Sequence, residues 1–106
     1  MPTYAAVTTV KITQLEKAFF HVAPNPCPAG PDGMSFSNDT AMDATVDLTG
    51  VPGYASVKSL KVLAGHDATV VPDSATQLGE FRYRVAVGNL KPSTPADASP
   101  RVILDA

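Results

Sequence analysis

Residues 80–87 read EFRYRVAV, and the pattern repeats every second residue. Phe81, Tyr83, Val85 and Val87 fall on one face, with Arg82, Arg84 and Ala86 on the other. A helical repeat would scatter both sets around its axis, so this stretch predicts a half-buried β-strand. ATVDLT, residues 44–49, alternates the same way: Ala44, Val46 and Leu48 inward, Thr45, Asp47 and Thr49 outward. Gly50, Pro52 and Gly53 then end it in a turn. SVKSLKVLA, residues 56–64, predicts another strand with Leu60, Val62 and Ala64 inward. ATVV, residues 68–71, follows the turn sequence GHD and stops at Pro72, which predicts the return arm of a hairpin. AAVTTVKI, residues 5–12, carries five β-branched residues and predicts one more strand.

Two segments do not resolve into a pattern. In TQLEKAFFHVAP, residues 13–24, Thr13 and Glu16 have the spacing of a capping box, and Leu15, Ala18, Phe19 and Val22 follow at helical intervals. Adjacent Phe19 and Phe20 instead favour a strand buried on both faces, forming a hairpin with the strand before it. The β-rich surroundings lean to the strand, and both readings stay open. Residues 23–43, APNPCPAGPDGMSFSNDTAMD, hold four prolines between positions 24 and 31. They read as a long irregular loop, either functional or hiding a short element, with Met34, Phe36 and Met42 able to pin it to the core or to a partner.

The third unusual segment is the carboxyl-terminal one, KPSTPADASPRVILDA. Ten residues from Lys91 to Pro100, three of them prolines, form a polar spacer before Val102, Ile103 and Leu104. Burying those three side chains stabilises by about 1.5–3 kcal/mol each. Ordering six residues of backbone costs about 1–2 kcal/mol apiece, so docking requires a sheet edge that also takes the backbone hydrogen bonds. Ten extended residues span about 31–33 Å, enough to reach a neighbouring subunit as well as the chain's own sheet. The division expected is a β domain over 1–90 and a spacer with a terminal strand over 91–106.

Composition frames the fold class. A chain of 106 residues supports one core. Ten prolines and only 17% charged residues point away from a helical bundle. The expectation is all-β: a small β-sandwich or barrel of about six to seven short strands, with the Pro-rich loop and a C-terminal arm. A net charge of −2 gives no electrostatic reason to expect nucleic acid or an anionic membrane as partner. The amino terminus lacks a signal-peptide pattern and no apolar run has membrane-spanning length, so a soluble protein made in the cytoplasm is expected.

Chemistry-bearing constellations are sparse. Cys27 is the only cysteine, which rules out an intramolecular disulfide and a multi-cysteine metal cluster; it reads as a small apolar side chain in a loop. His21 and His66 are the only histidines, and GHD around His66 reads as turn chemistry. Asp32, Asn38, Asp39, Asp43 and Asp47 do not fit the calcium-loop spacing. Asn38-Asp39-Thr40 matches a glycosylation sequon, which carries no weight without a signal peptide. No phosphate-cradling glycine motif and no G-x-S-x-G elbow occurs. Arg82 and Arg84 could join Lys58 or Lys61 in a basic stripe, but the aromatics point to the opposite face, so a solvated sheet face is expected. Neither a catalytic residue, a cofactor nor a metal is predicted.

The stretch VDLTGVPGYASVKSLKVL, residues 46–63, resembles a segment met in small β-sandwich modules of phage virions, where an alternating strand leads through a Gly-Pro turn into a Val/Leu-rich strand. The wider profile, short, all-β, without disulfides and nearly neutral, is similar to that of capsid decoration or cement proteins. That resemblance implies a non-enzymatic structural protein that self-associates or binds a capsid or other shell protein. Val102, Ile103, Leu104, Met34 and Phe36 are then the expected interface residues. The alternative is a ligand- or carbohydrate-binding β-sandwich module using the 23–43 loop; the absence of tryptophan deprives it of the usual stacking platform.

Overall fold

A computed structural model describes residues 8–29, 33–54, 59–72 and 79–104. They form eleven strands and one short helix: β1 (Thr8–Leu15), β2 (Phe19–Ala23), β3 (Cys27–Ala29), β4 (Met34–Asp39), β5 (Ala44–Asp47), β6 (Leu60–Val62), β7 (Asp67–Val70), β8 (Gly79–Arg82), β9 (Arg84–Val87), β10 (Lys91–Pro92), α1 (Pro95–Ala98) and β11 (Arg101–Leu104). The all-β class holds. The strands outnumber the six or seven expected because the chain repeatedly leaves one sheet for another. Five strands make one sheet in the order β10-β2-β1-β4-β7; two three-stranded sheets run β3-β11-β8 and β6-β5-β9. The inward rows of all three sheets meet in one core, with Phe36 and Tyr83 edge to face across it at 5.7 Å between ring centroids.

The segment that allowed a helix is a hairpin. β1 pairs antiparallel with β2, Leu15 opposite Phe19. Glu16 and Lys17 take left-handed backbone angles, φ 52° and 65°, so the capping box never forms. Gln14 secures the turn instead: its amide donates to the Lys17 carbonyl and its Oε1 accepts the Ala41 N–H. Only one face of β2 is buried, that of Phe20 and Val22.

The Pro-rich loop is largely strand. β3 lies within it, and β4 runs parallel to β1 at the centre of the five-stranded sheet. MSFSND alternates with period two, turning Met34, Phe36 and Asn38 inward. Asn38 belongs in that row because its side chain is fully bonded. Nδ2 donates to the carbonyls of Met42 and Val62, and Oδ1 accepts from the amide and hydroxyl of Thr40. The sequon asparagine is therefore buried and engaged. At the start of β4, Gly33 has φ +97°, and a Cβ there would lie 2.0 Å from the Val70 carbonyl oxygen, so only glycine fits.

Two pairings differ from the sequence reading. ATVV does not return against SVKSLKVLA; β7 pairs with β4, and β6 with β5. The GHD turn forms as expected, but it carries the chain between sheets, with Gly65 and His66 bonded to the Asn38 backbone. The strand expected over 80–87 keeps its alternation and splits at Tyr83, whose N–H leaves the ladder for the Pro100 carbonyl. Residues 56–58 and 5–7, expected in strands, lie outside the described residues.

The tail folds back onto its own chain. Lys91 and Ser93 donate to the Ala18 and Phe20 carbonyls along the edge of β2, and the next donor on that edge, the Val22 N–H, goes to the Asp97 carboxylate. Asp97 is 2% exposed and also accepts from the Ser93 hydroxyl and from the amide and hydroxyl of Thr94. Arg101 then bonds Asn25, and β11 enters between β3 and β8. The spacer and arm of residues 91–104 thus complete the same core as the rest of the chain.

Burial alone would raise the Asp97 pKa; the hydrogen bonds from Ser93, Val22 and Thr94 outweigh it and hold the carboxyl below the ordinary aspartate range. A carboxyl depressed in the folded state stabilises above its unfolded pKa, about 3.9, and that contribution is lost as pH falls through the folded value. Asp97→Asn is expected to lower unfolding free energy by about 2–4 kcal/mol at neutral pH, because the NH2 group that replaces Oδ2 cannot accept from Ser93 and Thr94. Urea melts of both proteins should show this gap unchanged down to about pH 5 and shrinking below. Burial also pushes the Cys27 thiol up to about 11. It is expected to resist a thiol-reactive dye in native buffer and to react once urea unfolds the chain; rapid native labelling would contradict this placement.

Candidate functional site

The residues expected at an interface are core residues. Met34 and Phe36 are 0% exposed, inside β4. Val102 and Leu104 are buried, and Ile103 lies between them in a strand bonded on both sides, to β3 and to β8. With both ladders filled at home, β11 offers no free edge to a neighbour. The physical reason is the route of the spacer, which is held along β2 instead of projecting away from the domain.

One histidine does meet a carboxylate. His21 Nδ1 is 3.0 Å from Asp97 Oδ1, with the imidazole about half exposed. Ser93 completes a Ser-His-Asp trio, but in the wrong order for acyl transfer: its hydroxyl donates to Asp97 and not to the histidine. Nucleophile activation needs the imidazole between hydroxyl and carboxylate. Here the carboxylate is in the middle and closes a sheet edge. His66 is exposed in its turn, its N–H on the Leu63 carbonyl. Among the described residues no group of three His, Cys, Asp or Glu side chains is placed to hold a metal ion. Asp47 serves its own turn, accepting from Thr49, and Asp43 accepts from the Ala64 N–H just after β6. Asp32 lies outside the described residues.

What the chain does present is an apolar rim. Of the five large hydrophobic side chains exposed among the described residues, Leu15, Phe19, Met42 and Leu63 lie at one end and Val71 at the other. Leu15 and Phe19 face each other at the tip of the β1–β2 hairpin. Met42 and Leu63 flank the junction where the Asn38 amide bonds the carbonyls of Met42 and Val62. The Gln14–Ala41 hydrogen bond ties the two pairs together. Met42 is braced against the turn at Gly88, where an added Cβ would lie 2.8 Å from its own. Beyond Met42, which was proposed as a pin onto core or partner, sequence reading missed this rim. Its members come from three separate turns, and Leu63 stands out as a large apolar residue at an outward position of a local alternation, after Val62.

The basic stripe takes a different form from the one considered. Lys61 is paired with Asp43 at 3.8 Å, and Lys58 lies outside the described residues. Arg82 is instead opposite Arg101 across β8 and β11.

Among the described residues no helix is long and apolar enough to cross a membrane. No model of a known protein family matches the chain. No curated protein matches it. A solved structure, Lac15 from a marine microbial metagenome, is similar over 93% of this chain at 14% identity and a TM-score of 0.49. This chain spans only 31% of that structure's length, and a likeness at this level carries no weight for function.

Proposed function

We propose that this chain is a non-enzymatic structural protein that assembles by side-chain docking at its apolar rim, with copies of itself as the first partners. The accessory role on a virion shell is the setting implied by the resemblance of residues 46–63 to phage β-sandwich modules. The observation that carries the reading is the gathering of Leu15, Phe19, Met42 and Leu63 at one end, while among the described residues every other large apolar side chain except Val71 is buried or partly buried. Side chains of this size left in water on neighbouring turns mark a surface that is covered in use. Strand addition fits less well, since the sheet edges β10, β7, β3, β8, β6 and β9 are each two to four residues long. A carbohydrate-binding role finds no exposed tyrosine among the described residues, since Tyr54 and Tyr83 are buried.

Gel filtration with light scattering tests the assignment. The native chain is expected to associate as its concentration rises, and the double variant Phe19→Ser, Leu63→Ser to remain a monomer with its melting temperature little changed, both positions being exposed. A native chain that stays monomeric at every concentration would remove the basis for the proposal.

A further inference from the structure

All three arginines of this chain line one region of its surface. Two adjoining clefts, of about 590 and 290 Å³, share Arg82 and Ser99 as walls. The larger adds Arg84, Asp47 and Thr49; the smaller adds Arg101 and Asn25. They open at the seam where the chain passes from β8 into β9 and so from one sheet to another. Arg82 ends β8 and Arg84 begins β9, two residues on and at most about 7 Å away between Cα atoms. Arg101 is the cross-strand partner of Arg82, at roughly 5 Å between Cα atoms.

Like charges directly opposite each other on a sheet are destabilising, so this arrangement calls for counter-charge. Two of the three arginines have it within the fold. Arg101 pairs with Glu80 at 3.0 Å, and Arg84 is opposite Asp47 across β9 and β5. Arg82, between them, has no ion-pair partner among the described residues. Glu80 answers Arg101 and Asp47 answers Arg84, so the uncompensated positive charge at the two clefts is that of Arg82, in a chain whose net charge is −2. Thr49 already donates its hydroxyl to Asp47, whereas the Ser99 hydroxyl makes no hydrogen bond among the described residues and adds a donor beside Arg82.

We infer that the seam between β8 and β9 is a binding site for the phosphate group of a small phosphorylated molecule, centred on the Arg82 guanidinium. A phosphate group answers the uncompensated charge of Arg82, and the planar fork of arginine matches two of its oxygens at once. The combined volume exceeds what a phosphate group fills and leaves room for the small organic part of a phosphomonoester. The inference is independent of assembly through the apolar rim, since the rim and the clefts lie at opposite ends of β5.

Isothermal titration of the full chain at low ionic strength tests this, with inorganic phosphate and glucose 6-phosphate as probes. Both are expected to bind, the ester more tightly if the organic part enters the cleft, and bound phosphate to raise the melting temperature. Arg82→Gln, at an exposed position, is expected to fold normally and to weaken binding about tenfold or more. Lys11→Gln, exposed on β1 and away from the clefts, should bind as the native chain does. Equal binding by native chain and Arg82→Gln, or no binding of either probe, would overturn the proposal. So would Arg82-dependent binding of a single-stranded oligonucleotide without any binding of phosphate.

Discussion

The buried carboxylate of Asp97 decides where residues 91–104 of this chain go. It takes four hydrogen bonds, and the ring nitrogen of His21 lies 3.0 Å away. Up to Ser93 the segment runs as a short parallel strand against β2; beyond it, a side chain supplies the acceptor that the backbone would otherwise give to Val22. The sheet edge is thus closed while the backbone is free to turn away through a single helical turn. Pro100 then accepts the Tyr83 N–H, and Arg101 binds Asn25, which delivers β11 into register. An anion in such a place survives only because each of its oxygens meets several donors.

The consequence for β11 follows from competition between hosts. Hydrophobic burial of three branched side chains and the conformational entropy of ordering the strand nearly cancel, so the hydrogen-bond ladders decide. At home those ladders exist on both sides, with β3 and with β8, and the tether along β2 keeps the strand close to them. A neighbouring subunit would have to offer a two-sided slot and then compete with an intramolecular one at far higher effective concentration. The sequence showed that this strand must dock somewhere. It did not contain the host, because the decisive pairs, Asp97 with Val22 and Arg101 with Asn25, are each more than seventy residues apart along the chain.

Legibility elsewhere followed the same division between local and distant causes. The inward rows at 44–49 and 80–87 were readable because burial on one face imposes period two on neighbouring residues. MSFSND has that period as well, but four prolines stand shortly before it and its third inward residue is Asn38. A polar side chain in an inward row reads as a break unless its partners are known, and these are carbonyls and hydroxyls brought in by β6 and the turn after β4. The split at Tyr83 was hidden for a related reason: alternation continues across it, and only the hydrogen-bond partner of one amide changes. Partner choice for β7 was unreadable too, since chain neighbours were the only guide and the Asn38 backbone redirects the turn at Gly65 and His66.

These sheet changes also determine what the molecule shows to its surroundings. A strand that moves from one sheet to the next opens a gap between them, and here the gap falls where Arg82, Arg84 and Arg101 converge. Residues 82 and 84 are outward by alternation, and 101 joins them only through the β8–β11 register. The apolar rim lies at the end of β5 that begins with Ala44, whereas the arginines gather where β5 ends at Asp47. Contact between copies through the rim would therefore leave the arginine seam facing solvent. Charge repulsion among the arginines would then oppose any packing that buried the seam without a counter-ion.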